Sequence, residues 1–192
     1  MIISLSGPSG IGKGFIKKEL LKLYPSMKEI LWFTTRSYRP EEQNSNRISV
    51  LPSEFDRLVK SKKLTLVQNL YGHRYGLKKE ELLPDDSIKI TELHSSNLRK
   101  ALKINPSILC IGLVTLDFSL LRKRLSIVRK TESLVEIEQR IKSAKTEIKT
   151  ILKQKNLFIK IVKITENAED LVLKEIIKIL DLHLKNEGEN LC

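Results

Sequence analysis

An apolar run, Met1 to Leu5, leads directly into GPSGIGKGF at residues 7–15, a stretch that leaves little freedom in how the chain begins to fold. From Gly7 through Gly12 to Lys13 the spacing is G-x-x-x-x-G-K, the pattern of a loop whose backbone N–H groups converge on phosphate oxygens. Such a loop needs a strand before it and a helix after it. Glycines permit the tight turn, the helix adds its positive N-terminal dipole, and the lysine reaches the outer phosphates of a nucleoside triphosphate. Here Ile2 to Ser6 reads as the strand and a helix opens near Lys13. The candidate ATP-binding residues are therefore Gly7, Pro8, Ser9, Gly10, Ile11, Gly12, Lys13 and Gly14. Gly14 stands where a serine or threonine hydroxyl usually contacts magnesium. Mg2+ is thus expected on ATP phosphates and water with no protein ligand, as suits an ion that dehydrates reluctantly.

The rest of the chain alternates short apolar runs with helical periodicity, the sign of an α/β protein with a parallel sheet. MIISLS, EILWF, SIKITEL, ILCIGLV and LFIKIVKI read as strands, and helices are expected over residues 13–23, 94–103, 117–125, 133–153 and 168–185. Residues 36–83 have a different texture, with RISVL, an amphipathic SEFDRLVKS, LTLVQNL and a turn at Tyr71-Gly72, and read as an inserted β-rich subdomain. From Leu134 the residues Leu134, Ile137, Ile141, Ala144, Ile148 and Ile151 form a seam. It suits one long helix on its own domain, with an intersubunit coiled coil as the alternative. No apolar stretch approaches the roughly 18–20 residues that cross a bilayer, and the first apolar run is too short for a secretory signal. The two cysteines, Cys110 and Cys192, form no disulfide framework. A cytoplasmic protein with no membrane partner is expected. The net charge of +12 is spread along the whole chain with few aromatics to stack on bases, so it reads as a solvated surface and nucleic acid is not an expected partner.

GPSGIGKG is followed by FTTRSYRPEE, SEF and LVQNLYGHRYG, then by LLRKRL, VRK and EIEQRIKSAKTEI. Together these strongly resemble the guanylate kinase family, with its GPSG-x-GK loop, TTR-x-x-R-P-G-E segment, G-x-x-YG turn and lid. The resemblance implies a P-loop NTPase fold: a five-stranded parallel core, an inserted acceptor-binding subdomain and a helical lid. On that pattern residues 1–192 form a single domain, with a core of 1–35, 84–125 and 145–192, an acceptor-binding insertion at 36–83 and a lid at 126–144. The G-K-G sequence also resembles adenylate and cytidylate kinase loops, where threonine usually follows; Phe15 departs from that. By resemblance Arg36, Arg39 and Tyr75 hold the acceptor's phosphate, arginine forks matching phosphate oxygens bidentately. Arg129 and Arg140 match the lid arginines that join Lys13 in catalysis by closing over the ATP phosphates.

The base-reading half departs from the family. Leu66 stands for the glutamate that meets guanine, Leu77 for the hydroxyl after the YG turn, Trp32 for the serine before TTR and Ile48 for a second phosphate-binding tyrosine. Thr91 and Leu93, with Glu92 between them, replace acidic residues at a strand end, while Arg47, His73 and Arg74 add positive charge near Arg36 and Arg39. This points to an ATP- and Mg2+-dependent phosphotransferase whose acceptor is anionic, a nucleoside monophosphate or a sugar phosphate, with GMP a poor one. The pattern also resembles ribose 1,5-bisphosphate phosphokinases in part. Two further readings are a non-catalytic guanylate-kinase-like binding module and a nucleotide-binding regulatory or nucleic-acid-associated role. A monomer or homodimer is expected.

Overall fold

A computed structural model describes residues 1–38, 47–128, 132–166 and 168–189. The chain divides into two compact units, Met1–Ser4 with Ser26–Leu109, and Leu5–Pro25 with Cys110–Cys192. The first strand, β1 (Ile2–Ser6), contributes residues to both, and all five are buried. A strand so buried sits inside a sheet covered on both faces.

In the first unit, β2 (Lys28–Glu29) runs parallel to β7 (Lys89–Glu92). Four further strands form a second sheet in the order β4-β3-β6-β5: β3 (Trp32–Thr34), β4 (Arg47–Ser49), β5 (Thr65–Leu70) and β6 (His73–Leu77). EILWF, expected as one strand, is thus two strands of two sheets. The Ile30 N–H ends the first pairing on the Ile90 carbonyl (2.9 Å), and Leu31 then packs with the core of the second sheet. An apolar run shows that a segment is buried, not which sheet it joins.

Helix α2 (Pro52–Lys60) covers one face of the four-stranded sheet. Its Phe55, fully buried, packs with Phe33 and Leu64, and Leu31, Ile48, Val50 and Leu58 surround them. Strands β5 and β6 are joined at Tyr71 (φ 52°) and Gly72 (φ 77°), both left-handed, which matches the twist of a tight hairpin. A short 3-10 turn at Ser95–Asn97 precedes α3 (Leu98–Ile104), so the helix expected at 94–103 begins as a tighter coil.

In the second unit α1 (Lys13–Leu23) follows the phosphate loop. Strand β8 (Leu109–Val114) pairs in parallel with β9 (Lys160–Lys163), and the larger sheet has the order β2-β7-β1-β8-β9. The helices are α4 (Phe118–Val128), α5 (Leu134–Lys153) and α6 (Glu169–Glu189). Asp117 caps α4, and its carboxyl is held below the usual carboxylate range by the Ser119 hydroxyl and the Leu120 N–H. Ser133 and Glu136 form a capping box at the start of α5, where two orphan donors are satisfied reciprocally. Of the seam on α5, Ile137, Ile141, Ala144, Ile148 and Ile151 are buried by the chain itself, which favours the long-helix reading over a coiled coil between subunits. Leu134 is 79% exposed and lies outside that packing. The Tyr24 phenol donates to Asp181 at 2.7 Å, tying the end of α1 to α6; burial, then that carboxylate, pushes its pKa up to about 12. Among the described residues no helix is long and apolar enough to cross a membrane.

Candidate active site

The phosphate loop has the geometry its glycines predict. Gly10 (φ 83°) and Gly12 (φ 109°) are left-handed, a conformation that costs side-chain-bearing residues energy. Gly7 is required for space: a Cβ there would lie 2.7 Å from the Leu113 carbonyl oxygen. Gly12 precedes α1 with no side-chain cap, so the first N–H groups of the helix have no side chain competing for them at the cap. A side chain at Gly7 would collide with β8, so only glycine lets the loop lie this close to that strand. Lys13 Nζ lies on the Gly7 carbonyl (2.5 Å) and the Pro8 carbonyl (3.0 Å), at the mouth of the same loop.

Gly14 differs from the others. Nothing lies within 4 Å of where its Cβ would be, and its backbone is ordinary helix. Gly14→Ala is expected to stabilise the protein by about 0.4–1 kcal/mol, chiefly by reducing the freedom of the unfolded chain at a position whose backbone alanine adopts without strain. Gly7→Ala, which overpacks the loop, should cost about 1–3 kcal/mol. Thermal melting of the two variants checks the contrast, and equal melting temperatures would contradict the cradle geometry.

Two arginines of the second unit are already tethered. Arg124, on α4, pairs with Glu169 at the start of α6 and donates to the Ile11 carbonyl of the loop at 3.4 Å. Motif reading passed over this residue inside LLRKRL. Its signal is its position on the helix beside Leu121 and Leu125, both buried, the latter against Gly10. Arg140, expected as a lid arginine, is held bidentately by Glu132 (Nε to Oε2 2.5 Å, Nη2 to Oε1 2.6 Å), and the two side chains are 11% and 15% exposed. Arg129 lies outside the described residues.

In the first unit, strand register sorts the predicted acceptor residues by face. Thr34 pairs with Ser49 and with Tyr75, and Tyr75 with Gln68, so these four form one polar row across the sheet. Trp32 pairs with Arg47 and with Leu77, and Leu77 with Thr65, in the neighbouring row of the same face. His73, two residues from Tyr75, shares that face. Arg36 follows β3 and is 8% exposed. Its backbone is braced from two sides: its N–H donates to Thr34 Oγ1 (3.1 Å), and Ser49 Oγ donates to its carbonyl (2.8 Å). Arg39 lies outside the described residues.

Two expectations change with the register. Arg74, grouped with the acceptor cations, belongs to the opposite face. Its guanidinium lies 4.8 Å over the Phe55 ring, pairs with Asp56 (2.5 Å) and donates to the Pro52 carbonyl (2.8 Å), so it fastens α2. Ile48 also faces α2, and Ser49 stands on the acceptor side in its place.

The residues at the guanine-reading positions are closed in. Leu77 is fully buried and Leu66 is 4% exposed, while the Trp32 indole N–H donates to Thr91 Oγ1 (2.9 Å) in a buried hydrogen bond. Leu66 itself is left-handed (φ 50°), costing a leucine roughly 1–2 kcal/mol. It lies in a bulge: three steps along β5, Thr65 to Gln68, oppose two along β6, Leu77 to Tyr75. The buried Asn97 amide holds the bulge, donating to the Leu66 carbonyl (3.0 Å) and to Gln68 Oε1 (2.8 Å). Gln68 lies inside LVQNLYGHRYG but at none of the positions given a role there, and Asn97 lies in no quoted stretch; strand pairing and this hydrogen bond bring the two together.

A glycine cradle between the first strand and first helix of a parallel sheet, in the strand order found here, defines a P-loop NTPase fold. The chain belongs to the guanylate kinase family. It is 31% identical over 156 residues to a guanylate kinase of Tropheryma whipplei (strain Twist), covering 79% of this chain and 80% of that one. With a guanylate kinase of Caldanaerobacter subterraneus subsp. tengcongensis it shares 29% identity over 199 aligned positions, 99% of this chain and 96% of the other. The crystal structure of guanylate kinase from Anaplasma phagocytophilum has the same fold, with a TM-score of 0.70 at 19% identity over 95% of this chain and 85% of that one. No protein-family model matches the chain.

Proposed function

We propose that the protein is an ATP-dependent phosphotransferase that moves the γ-phosphoryl group of ATP to a phosphate-bearing small acceptor, a nucleoside monophosphate or a sugar phosphate. The observation that carries this reading is the intact cradle: Gly7 without room for a side chain, Gly10 and Gly12 left-handed, and Lys13 at the mouth. A module that never met a nucleotide would have no use for that combination. In this reading residues 7–14 bind the ATP phosphates, Arg36, Arg39 and Tyr75 of the 36–83 insertion hold the acceptor's phosphate, and Arg129 and Arg140 of the 126–144 lid close over the transferred group. An oxygen of the acceptor's phosphate attacks the γ-phosphorus, the bond to the β–γ bridging oxygen breaks, and ADP leaves. The attacking oxygen is already anionic, so catalysis is positioning plus charge neutralisation and needs no general base. Magnesium bound with ATP would add charge neutralisation, held by phosphates and water because Gly14 has no hydroxyl.

GMP is expected to be a poor acceptor. Leu66 and Leu77 have no hydrogen-bonding side-chain atoms, and the Trp32 N–H and Thr91 hydroxyl are engaged with each other. A site built to hydrogen-bond a base loses roughly 1 kcal/mol or more for each partner removed, and several such losses amount to a hundredfold or more. The leucines at positions 66 and 77 favour a second reading, an acceptor with no base, such as ribose 1,5-bisphosphate. The test is ADP release from ATP and Mg2+ with GMP, AMP, CMP, UMP, ribose 5-phosphate and ribose 1,5-bisphosphate. We expect kcat/KM for GMP to show little advantage over the other monophosphates. A strong GMP preference would make this an ordinary guanylate kinase with displaced contacts, and no turnover with any acceptor would favour a non-catalytic binding module.

A further inference from the structure

The bulge in β5 has a directional effect. In a regular antiparallel pair Val67 would stand opposite Tyr75 and turn its side chain to the Tyr75 face, with Gln68 pointing to α2. The extra residue reverses this, and Gln68 becomes the register partner of Tyr75. A left-handed leucine and a buried asparagine maintain an arrangement whose outcome is one half-buried amide beside a phenol. Strained backbone held in place by its surroundings is a recurrent mark of ligand-binding positions.

The orientation of that amide follows from its neighbours. The Leu66 carbonyl can only accept, so the Asn97 atom facing it is the nitrogen. The two hydrogens of Asn97 Nδ2 are then used, one on Leu66 and one on Gln68, so the Gln68 atom facing Asn97 is its oxygen. Gln68 Nε2 is therefore turned away from Asn97, with two N–H donors. Among the described residues no group accepts from it, and the side chain is half-buried on the face it shares with Tyr75 and Thr34.

We propose that Gln68 is a specificity-determining residue that reads the acceptor molecule by donating hydrogen bonds from Nε2, with Asn97 as its positioning residue. This rests on the reading of the face as the acceptor site. The group that Gln68 meets is a hydrogen-bond acceptor: a carbonyl oxygen, a ring nitrogen, or an oxygen of a second phosphate. It is not an N–H donor edge such as guanine presents at N1 and N2. Leu77, fully buried in the neighbouring row of that face, offers the acceptor no polar atom beside the amide.

Gln68→Glu tests this with little disturbance, because one carboxylate oxygen can still accept from Asn97 while the outward atom changes from donor to acceptor. Binding of GMP, AMP, CMP, UMP and ribose 1,5-bisphosphate to the full-length protein is measured by calorimetry for the parent, Gln68→Glu and Gln68→Ala, alongside ADP release. The acceptor bound best by the parent is expected to lose at least tenfold in affinity in both variants. GMP, with its N–H edge, should gain at least threefold relative to that acceptor in Gln68→Glu and show no such gain in Gln68→Ala. Relative affinities unchanged within twofold overturn the proposal, and so does a uniform loss across the panel, which added charge alone would produce. In either case the phosphotransferase reading survives if the parent turns over. If the parent neither binds nor phosphorylates any member of the panel, the acceptor-site reading fails and the role of Gln68 fails with it.

Discussion

Replacement of Lys13 by alanine is expected to lower phosphoryl transfer by about two to three orders of magnitude while leaving the melting temperature close to that of the parent. The size follows from what the ammonium does: a preorganised charge aimed at phosphate oxygens acts where negative charge shifts during transfer, and removing one such donor typically costs about 10²–10³ in rate. The small effect on folding follows from where it sits. Its ammonium donates to the carbonyl oxygens of Gly7 and Pro8 in its own loop, which water can serve in its place. ADP release and thermal melting of the same preparation separate the two effects. Turnover and ATP affinity equal to the parent's would refute the cradle as the ATP site.

Arg36→Ala is the second large effect. Arg36 as a residue is 8% exposed and its backbone is fixed by Thr34 and Ser49, so little reorganisation is needed to meet an anion. A charge-assisted hydrogen bond of that kind is worth about 1.5–3 kcal/mol, or roughly 10- to 150-fold in kcat/KM for the acceptor. Lysine should restore only part of the loss, because a point charge does not reproduce the bidentate fork. Saturation curves for the acceptor at fixed ATP measure it. If Arg36→Ala instead loses affinity for a protein partner, and the parent turns over no small acceptor, the face is a docking surface and not an active site.

The features legible in the sequence are those whose cause is local. The phosphate loop is a pattern within eight residues, and helices α1 to α6 carry apolar spacing that marks them without reference to the rest of the chain, with only the start of α3 displaced by a 3-10 turn. The acceptor face is a different matter. That EILWF serves two sheets depends on which strand lies beside Ile30 and which beside Trp32, both distant in sequence. Arg74 and Tyr75 are adjacent, yet they face opposite sides of a sheet, so grouping cations by nearness in sequence placed Arg74 on the wrong one. The bulge at Leu66 has no composition cue, since neither glycine nor asparagine marks it, and its partner Asn97 lies 31 residues away. Alternation can be read from a sequence; a one-residue slip in it cannot, although such a slip decides which side chain meets the ligand.

The hydrogen bond between Trp32 and Thr91 has an optical consequence. The chain contains one tryptophan, so nearly all red-edge ultraviolet absorption and emission arises from a single indole. Trp32 is 8% exposed, its indole N–H is fixed on one hydroxyl, and its cross-strand register partners are Arg47 and Leu77. Its excited state therefore reports on one location and no other. The protein carries its own intrinsic fluorophore on the sheet face proposed to hold the acceptor, and added ligands can be screened against that face in real time with no label attached.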